Sequence, residues 1–328
     1  MQIRPPLLDS AAEPCAFLFL TYACNLACRH CYIGDRAPDG HMEEATIIRA
    51  LHVIREAGIT DLRLTGGEPT VHPLVFQTVM WAKELDFRVR LNTNGLLLLT
   101  DARTRPLVPE LAGCWISVFG LTDEAHQRMS PGGPPLGHVL EFAGALAAKG
   151  HSIGVRCLLM PGAKDGVHSF LTRCLNAGLA RVRFVPVQRD GRASLDAEMN
   201  WVSWPTELEE IIRTCTDSPL ARNFDILSVG NPFDLTDQFD APTDSCVARR
   251  RKLWSIAPNG DVFECCLLVT DRECAVASVW DPSAARTLGA VDPFLPRKCR
   301  FFTPYLPGTP TKQSCPMSSL DLRVKTHV

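Results

Sequence analysis

Residues 24–32 read CNLACRHCY, with three residues between Cys24 and Cys28 and two between Cys28 and Cys31. The stretch follows a short apolar run ending in aromatics, Ala16 to Tyr22, so the three thiols are expected on a loop leaving the C-terminal end of a strand. Iron–sulfur clusters are normally held by four cysteine thiolates. A close triad with no fourth cysteine beside it leaves one iron open to a substrate or cofactor, which suits a catalytic cluster better than a closed one. The plainer reading is a structural zinc site, but zinc prefers four-ligand sets built from paired CxxC-type elements, and the triad supplies no such pair.

Outward from this loop, apolar β-rich segments alternate with helical patterns to about residue 190, which predicts a parallel sheet with crossover helices. The expected strands are Phe17 to Thr21, Asp61 to Thr65, Arg88 to Asn92, Trp115 to Val118, Gly154 to Leu159 and Arg181 to Val185. Between them, Ile47, Ala50, Leu51 and Ile54 recur at helical spacing within Glu43 to Ala57, and Gly58 ends the pattern. Similar helices fit Leu74 to Glu84, Gly137 to Lys149 and Gly166 to Ala177. Six βα repeats are fewer than the eight of a closed barrel and fit a partial one.

Directly after the second expected strand come Thr65, Gly66, Gly67, Glu68 and Pro69. A glycine pair lets the backbone approach a ligand closely, and Glu68 can accept a charge-assisted hydrogen bond. Such a pair recurs in many turns, but one βα unit after the cysteine triad it becomes specific. Together the two motifs resemble the radical S-adenosylmethionine (radical SAM) enzymes over about the first two thirds of the chain. The resemblance implies an α/β fold with an open, partial (β/α)6 TIM-type barrel and a [4Fe-4S] cluster on Cys24, Cys28 and Cys31. The open iron of that cluster would chelate S-adenosyl-L-methionine, whose reductive cleavage gives a 5′-deoxyadenosyl radical. It also implies that Tyr32 lies beside the adenine and that Gly66, Gly67, Glu68 and Pro69 meet the amino group. Asn92 or Asn94 and Ser117 would contact the ribose, and Arg156 the methionine carboxylate. Without the resemblance, the run NTNG is an ordinary turn and Arg156 a surface residue.

The tail carries a second pattern. Thirteen residues separate Cys246 from Gly260 and four separate Gly260 from Cys265, which resembles the first half of the auxiliary-cluster domain called SPASM, or its shortened form, twitch. Cys299, in KCRFF, has no cysteine three residues later. That departs from the full SPASM pattern and implies one auxiliary [4Fe-4S] cluster, with Cys246, Cys265, Cys299 and Cys315 as ligands and Cys274 a substitute for one of the last two. Four ligands would close that cluster to substrate. Cys266 is then left over, either as an inert core residue or as a thiol that gives a hydrogen atom to a substrate radical. Cys15, Cys114, Cys157, Cys174 and Cys215 are lesser candidates for the same part, and which of Cys265 and Cys266 binds iron stays open.

The expected organisation is a barrel over 1–205, a linker helix (Glu207 to Cys215) and loop over 206–240, and an auxiliary domain over 241–328. Asp225, Asp234, Asp237, Asp240 and Asp244 fall in a stretch without Lys or Arg. That stretch reads as a solvated loop or as a recognition element for a cationic substrate. With 34 basic and 36 acidic residues, nothing points to nucleic acid as a partner. There is no apolar run long enough for a bilayer span and no signal peptide, so a cytoplasmic location is expected, and the 14 cysteines read as ligands or thiols. Only about fifteen residues precede the first strand, too few for an added leader-peptide domain. With the aspartates, this favours an aminoglycoside or aminocyclitol epimerised with the help of Cys266. The alternatives are a peptide epimerase or maturase, and a dehydrogenase that oxidises the substrate radical through the auxiliary cluster. A flavodoxin or ferredoxin would supply electrons. A protein that merely carries electrons would leave the glycine pair beside an open cluster unexplained.

Overall fold

The computed structural model describes residues 14–34, 40–187, 191–196, 204–229, 253–289 and 322–323. The chain divides into two compact units, one built from 1–23, 38–89 and 237–319 and the other from 24–37, 90–236 and 320–328. In the first, β1 (Cys15–Thr21) lies parallel to β2 (Asp61–Gly66) and, on its other side, to β8 (Leu253–Ile256). β8, β9 (Asp261–Phe263) and β10 (Ala277–Ser278) follow one another antiparallel. All seven residues of β1 are buried. Side chains such as Phe17, Leu18, Phe19 and Leu20 each contribute about 1.5–3 kcal/mol by leaving water, which makes this strand the spine of the unit. Helices α1 (Glu44–Glu56) and α2 (Val75–Glu84) follow β1 and β2, and α1 buries Ile47, Ala50, Leu51 and Ile54 as one face. Helix α8 (Ala284–Gly289) follows β10.

In the second unit, β3 (Arg88–Thr93, whose first two residues belong to the first unit), β4 (Gly113–Val118), β5 (Ile153–Leu159), β6 (Arg181–Pro186) and β7 (Ile226–Val229) run parallel in that order. β11 (Leu322–Arg323) pairs antiparallel with β7. The helices are α3 (Leu96–Thr100), α4 (Asp123–Met129), α5 (Leu136–Ala148), α6 (Val167–Asn176) and α7 (Trp204–Asp217). Helix α6 buries Val167, Phe170, Leu171 and Cys174, the i, i+3, i+4, i+7 set that commits an amphipathic helix to one side of a sheet. Near the start of α7, the Glu207 carboxylate accepts the backbone N–H groups of Gly162 at 2.8 Å and Lys164 at 3.1 Å. It thereby fixes the loop that follows β5.

The α/β class and mostly parallel strands are as expected, and the six expected strands recur with ends moved by no more than two residues. The sequence reading placed no element over α3, α4, β7 or the β8–β9 hairpin. Of the aspartate-rich stretch only Asp225 is described, its N–H donating to the Ala180 carbonyl at 2.7 Å. The others lie outside the described residues, as do Cys246, Cys299 and Cys315. Residues 253–289 belong to the first unit and 322–323 to the second. Among the described residues no helix is long and apolar enough to cross a membrane.

Helices α5 and α6 meet where Gly144 has no side chain, and a Cβ there would overlap the Ala177 carbonyl oxygen. Gly144→Ala is therefore expected to cost about 1–3 kcal/mol through overpacking. A urea-unfolding midpoint unchanged from the parent would contradict that packing.

Candidate active site

The glycine pair is placed by backbone alone. Gly67 donates its N–H to the Thr21 carbonyl at 2.8 Å and Glu68 donates to the Ala23 carbonyl at 3.0 Å. A Cβ on Gly66 would meet the Thr21 oxygen, and one on Gly67 the Tyr22 and Ala23 oxygens, so no other residue fits either position without moving the chain. Gly66 also has φ +143, in the region that favours glycine. Glu68 is 1% exposed, and its carboxylate accepts the Thr70 N–H at 3.0 Å and the Thr70 hydroxyl at 2.6 Å. Pro69 opens the short 3-10 turn that follows. The glycine pair thus grips the residues that immediately precede Cys24.

The same unit ties this root to the tail. The Tyr22 hydroxyl donates to the Val269 carbonyl at 2.6 Å, and burial first, then the Asp261 charge, raise its pKa above the ordinary phenol value, so it stays a donor. Val269 follows the short 3-10 turn Cys266–Leu268, for which Cys265 is the extended N-cap residue. Cys265, Cys266 and Cys274 are each 6% exposed, and the Cys274 thiol donates to the Asp271 carboxylate at 3.4 Å.

In the second unit the cysteine loop is held from several sides. Arg29 donates its N–H to the Met129 carbonyl at 3.0 Å at the end of α4. Its guanidinium pairs with Asp196 at 2.9 Å. Asn94 donates to the Asn25 side-chain oxygen at 2.7 Å and reaches the Cys24 sulfur at 3.9 Å, while its own oxygen accepts the Leu96 N–H at 2.9 Å. Asn94 thus reaches the loop through its amide nitrogen, while its oxygen caps the turn that follows β3. Cys28 is buried against Phe119 and Met129, with Leu26, Cys31 and Met160 packed on the same cluster. Gly34 donates its N–H to the Cys31 sulfur at 3.2 Å. Burial, then the neighbouring Cys24 and Cys31, push the Cys28 thiol up to about 12, and Arg192 opposes the shift.

The donor set fits a four-iron cluster. Three cysteines on one loop are the thiolate chemistry such a cluster takes, each serving its own iron. The Asn25 amide nitrogen and the His30 Nδ1 are buried with no hydrogen-bond partner among the described residues, so the loop holds polar atoms still able to take up a bound group.

Along the strands, Asn92 stands in register with Trp115, and Ser117 with Arg156, Arg183 and Ser228 in turn. Gly154 makes room for the Trp115 ring. The Arg183 guanidinium lies 4.4 Å and that of Arg156 5.9 Å from the ring centre. Beyond the ends of β4 and β5 a cavity of about 450 Å³ is lined by Gly120, Thr122, Met129, Met160, Gly162 and Asp196 among others. Met129 and Met160 are shared with the cluster around Cys28. Tyr32 is half-buried, its backbone close-packed on Gly191. Asn25, Arg29, Met160, Arg192 and Asp196 were missed by the sequence reading. Proximity to the triad could have found the first two, and the ends of strands the others.

A mostly parallel α/β framework with a cysteine triad at a strand end defines an iron–sulfur domain of the partial-barrel class. Residues 18–171 match the Radical SAM superfamily, a match that implies a SAM-binding [4Fe-4S] cluster. The chain is 33% identical over 142 residues to GTP 3′,8-cyclase of Synechococcus sp. (strain CC9902), spanning 40% of this chain and 41% of that protein. It is 31% identical over 120 residues to the mycofactocin maturase MftC of Mycobacterium tuberculosis, spanning 36% and 30%. The chain thus spans less than half the length of either curated relative. The fold is shared with SuiB of Streptococcus suis bound to precursor peptide SuiA, at TM-score 0.65 and 14% identity, covering 85% of this chain and 65% of that one. It is shared also with anSMEcpe bound to AdoMet and the Kp18Cys peptide, at TM-score 0.65 and 16% identity, covering 85% and 81%.

His126, fully buried beside Phe119, accepts the Phe119 N–H at Nδ1 and bonds the Pro134 carbonyl through Nε2, which requires the neutral ring. Burial is the main cause of its lowered pKa. A histidine whose folded pKa lies below its unfolded value of about 6.5 stabilises the fold above that value and loses the contribution as pH falls. The urea midpoint is therefore expected to drop between pH 7 and pH 5, with a flatter profile in His126→Gln. Equal slopes in the two proteins would count against this assignment.

Proposed function

We propose that the chain is a radical SAM enzyme that abstracts hydrogen from a peptide substrate and carries one auxiliary iron–sulfur cluster in a SPASM/twitch-like tail. The observation that carries this reading is the pair of backbone hydrogen bonds from Gly67 to Thr21 and from Glu68 to Ala23, which joins the glycine-pair motif to the root of the cysteine loop. Cys24, Cys28 and Cys31 would hold the cluster, Gly66 to Pro69 the amino group of the cofactor, Asn92 and Ser117 its ribose, and Arg156 its carboxylate. The cavity flanked by Met129 and Met160 would take the adenine, with Tyr32 beside it. When bound, cluster and cofactor supply a 5′-deoxyadenosyl radical.

Two observations move the substrate reading from aminoglycoside to peptide, the alternative weighed at the outset. A maturase stands among the relatives, and two structures sharing the fold are of proteins bound to peptides. In addition, Arg156 and Arg183 lie side by side in one row of the sheet, a poor match for a polycationic sugar. Cys265 would serve the auxiliary cluster with Cys246, Cys299 and Cys315, and Cys266 would give its S–H hydrogen to the substrate radical. That transfer forms a C–H bond and leaves a thiyl, which one electron from a ferredoxin- or flavodoxin-type donor and one proton from solvent restore to the thiol. Oxidation of the substrate radical through the auxiliary cluster is the rival outcome.

Anaerobic reconstitution is expected to give about eight irons per chain, from two four-iron clusters, and 5′-deoxyadenosine on reduction with S-adenosylmethionine. Cys24→Ala should abolish the nucleoside. No 5′-deoxyadenosine from the parent would overturn the enzyme reading. Cys266→Ala should leave cofactor cleavage intact and stop deuterium uptake from solvent into the product. An unchanged product would favour the oxidative route.

A further inference from the structure

The segment Gly191–Asp196 follows β6 and has no part in the motifs that identify the domain. It nonetheless touches the cysteine loop at Cys28, Arg29, Cys31, Tyr32 and Gly34. Gly191, at φ +56, lies so close that a Cβ would overlap the Cys31 carbonyl oxygen and the Tyr32 Cα, so only glycine allows the approach. Arg192 donates its backbone N–H to the Cys31 carbonyl at 3.0 Å. Its guanidinium reaches the Cys28 carbonyl at 3.5 Å, a long contact that acts as charge on dipole more than as a firm hydrogen bond. Its aliphatic stem covers Gly34, where a Cβ would stand 3.3 Å from the Arg192 Cγ, and Gly34 is the donor to the Cys31 sulfur at 3.2 Å. At the other end of the segment Asp196, 6% exposed at its side chain, holds Arg29 at 2.9 Å.

We propose that Gly191–Asp196 is a clamp on the cysteine loop, with Arg192 and Asp196 as positioning residues that set the geometry of the thiols and the potential of the cluster they hold. The proposal rests on the reading of Cys24, Cys28 and Cys31 as cluster ligands. Two neighbouring loop carbonyls, those of Cys28 and Cys31, meet one residue, which orders the backbone between two ligands and aims the Gly34 N–H at a ligand sulfur. N–H···S bonds and nearby positive charge both favour the more negatively charged reduced cluster, so the clamp holds the potential up. Asp196 also lines the cavity beyond β4 and β5, so the pair with Arg29 couples the cavity wall to the loop.

The test uses the full chain with Arg192→Met, Arg192→Lys and Asp196→Asn, and thermal melts to show that each folds. In the protein before iron is added, hydrogen exchange at the amides of residues 31–34 is expected to quicken about tenfold in Arg192→Met and Asp196→Asn, the loss of a hydrogen bond to a charged group. After reconstitution, Arg192→Met is expected to hold near-parental iron with a midpoint potential shifted down, read by redox titration of the reduced cluster's electron paramagnetic resonance signal. Arg192→Lys should recover most of that shift, because it restores charge but not the fork. Unchanged exchange in both variants, or unchanged exchange with an unchanged potential in Arg192→Met, would overturn the clamp. Failure of the parent to take up iron would overturn the cluster reading and with it the proposed effect on potential, while the exchange data still decide the loop contacts. Should Arg192→Met not fold, Asp196→Asn and Arg192→Lys carry the same comparison.

Discussion

Everything built at the root of the cysteine loop depends on a place where backbone meets backbone with no room for a side chain. β1 and β2 are regular parallel neighbours as far as Phe19, opposite Thr65. The register then slips, so that Thr21 stands against Gly66. The slip brings three successive carbonyls, of Thr21, Tyr22 and Ala23, within reach of the positions where Gly66 and Gly67 lack a Cβ. It also supplies acceptors for two amides. Gly66 and Gly67 are therefore needed for shape before they are needed for any ligand, and the same contact sets the point from which Cys24 leaves the strand.

Electrostatics pull in the opposite direction from packing at the triad. Burial raises the Cys28 thiol and its two neighbours raise it further, which favours the neutral form of this sulfur; on the proposed reading, the cationic core of a cluster would make its thiolate tolerable. The protein's own contribution is a set of donors: the Gly34 N–H, the Asn94 amide and the Arg192 charge. Each comes from a residue distant in the chain or turned back on it.

The extent to which the sequence could be read follows from this. β1 to β6 were legible because buried parallel strands are short apolar runs separated by helices of clear 3.6 periodicity. The β8–β9 hairpin was not read, although Asn259–Gly260, with Gly260 at φ +87, is a strong hairpin signal. At the site, the triad and Gly66–Pro69 were legible because each is a local motif. The pairing of Arg29 with Asp196 bridges 167 positions and that of Arg192 with Cys28 164, and nothing in the spacing of residues predicts contacts of that range. Asn94 shows a subtler limit. A polar residue at a strand end was read as a ribose contact, and the sequence offered Asn92 and Asn94 equally. Only the bonds to Asn25, Cys24 and Leu96 separate the two.

The adjacent cysteines of the tail pose the same question at closer quarters. Cys265 is extended, at φ −155 and ψ 138, and Cys266 opens a 3-10 turn. Successive side chains diverge strongly when the first is extended, so the two sulfurs leave the chain in different directions and need not compete for one iron. Tyr22 anchors the end of that turn through the Val269 carbonyl, within two residues of Cys24. A shift of the turn would therefore be felt at the root of the triad through one phenolic hydrogen bond. The tail is thus tied mechanically to the end of the strand that launches the cysteine loop.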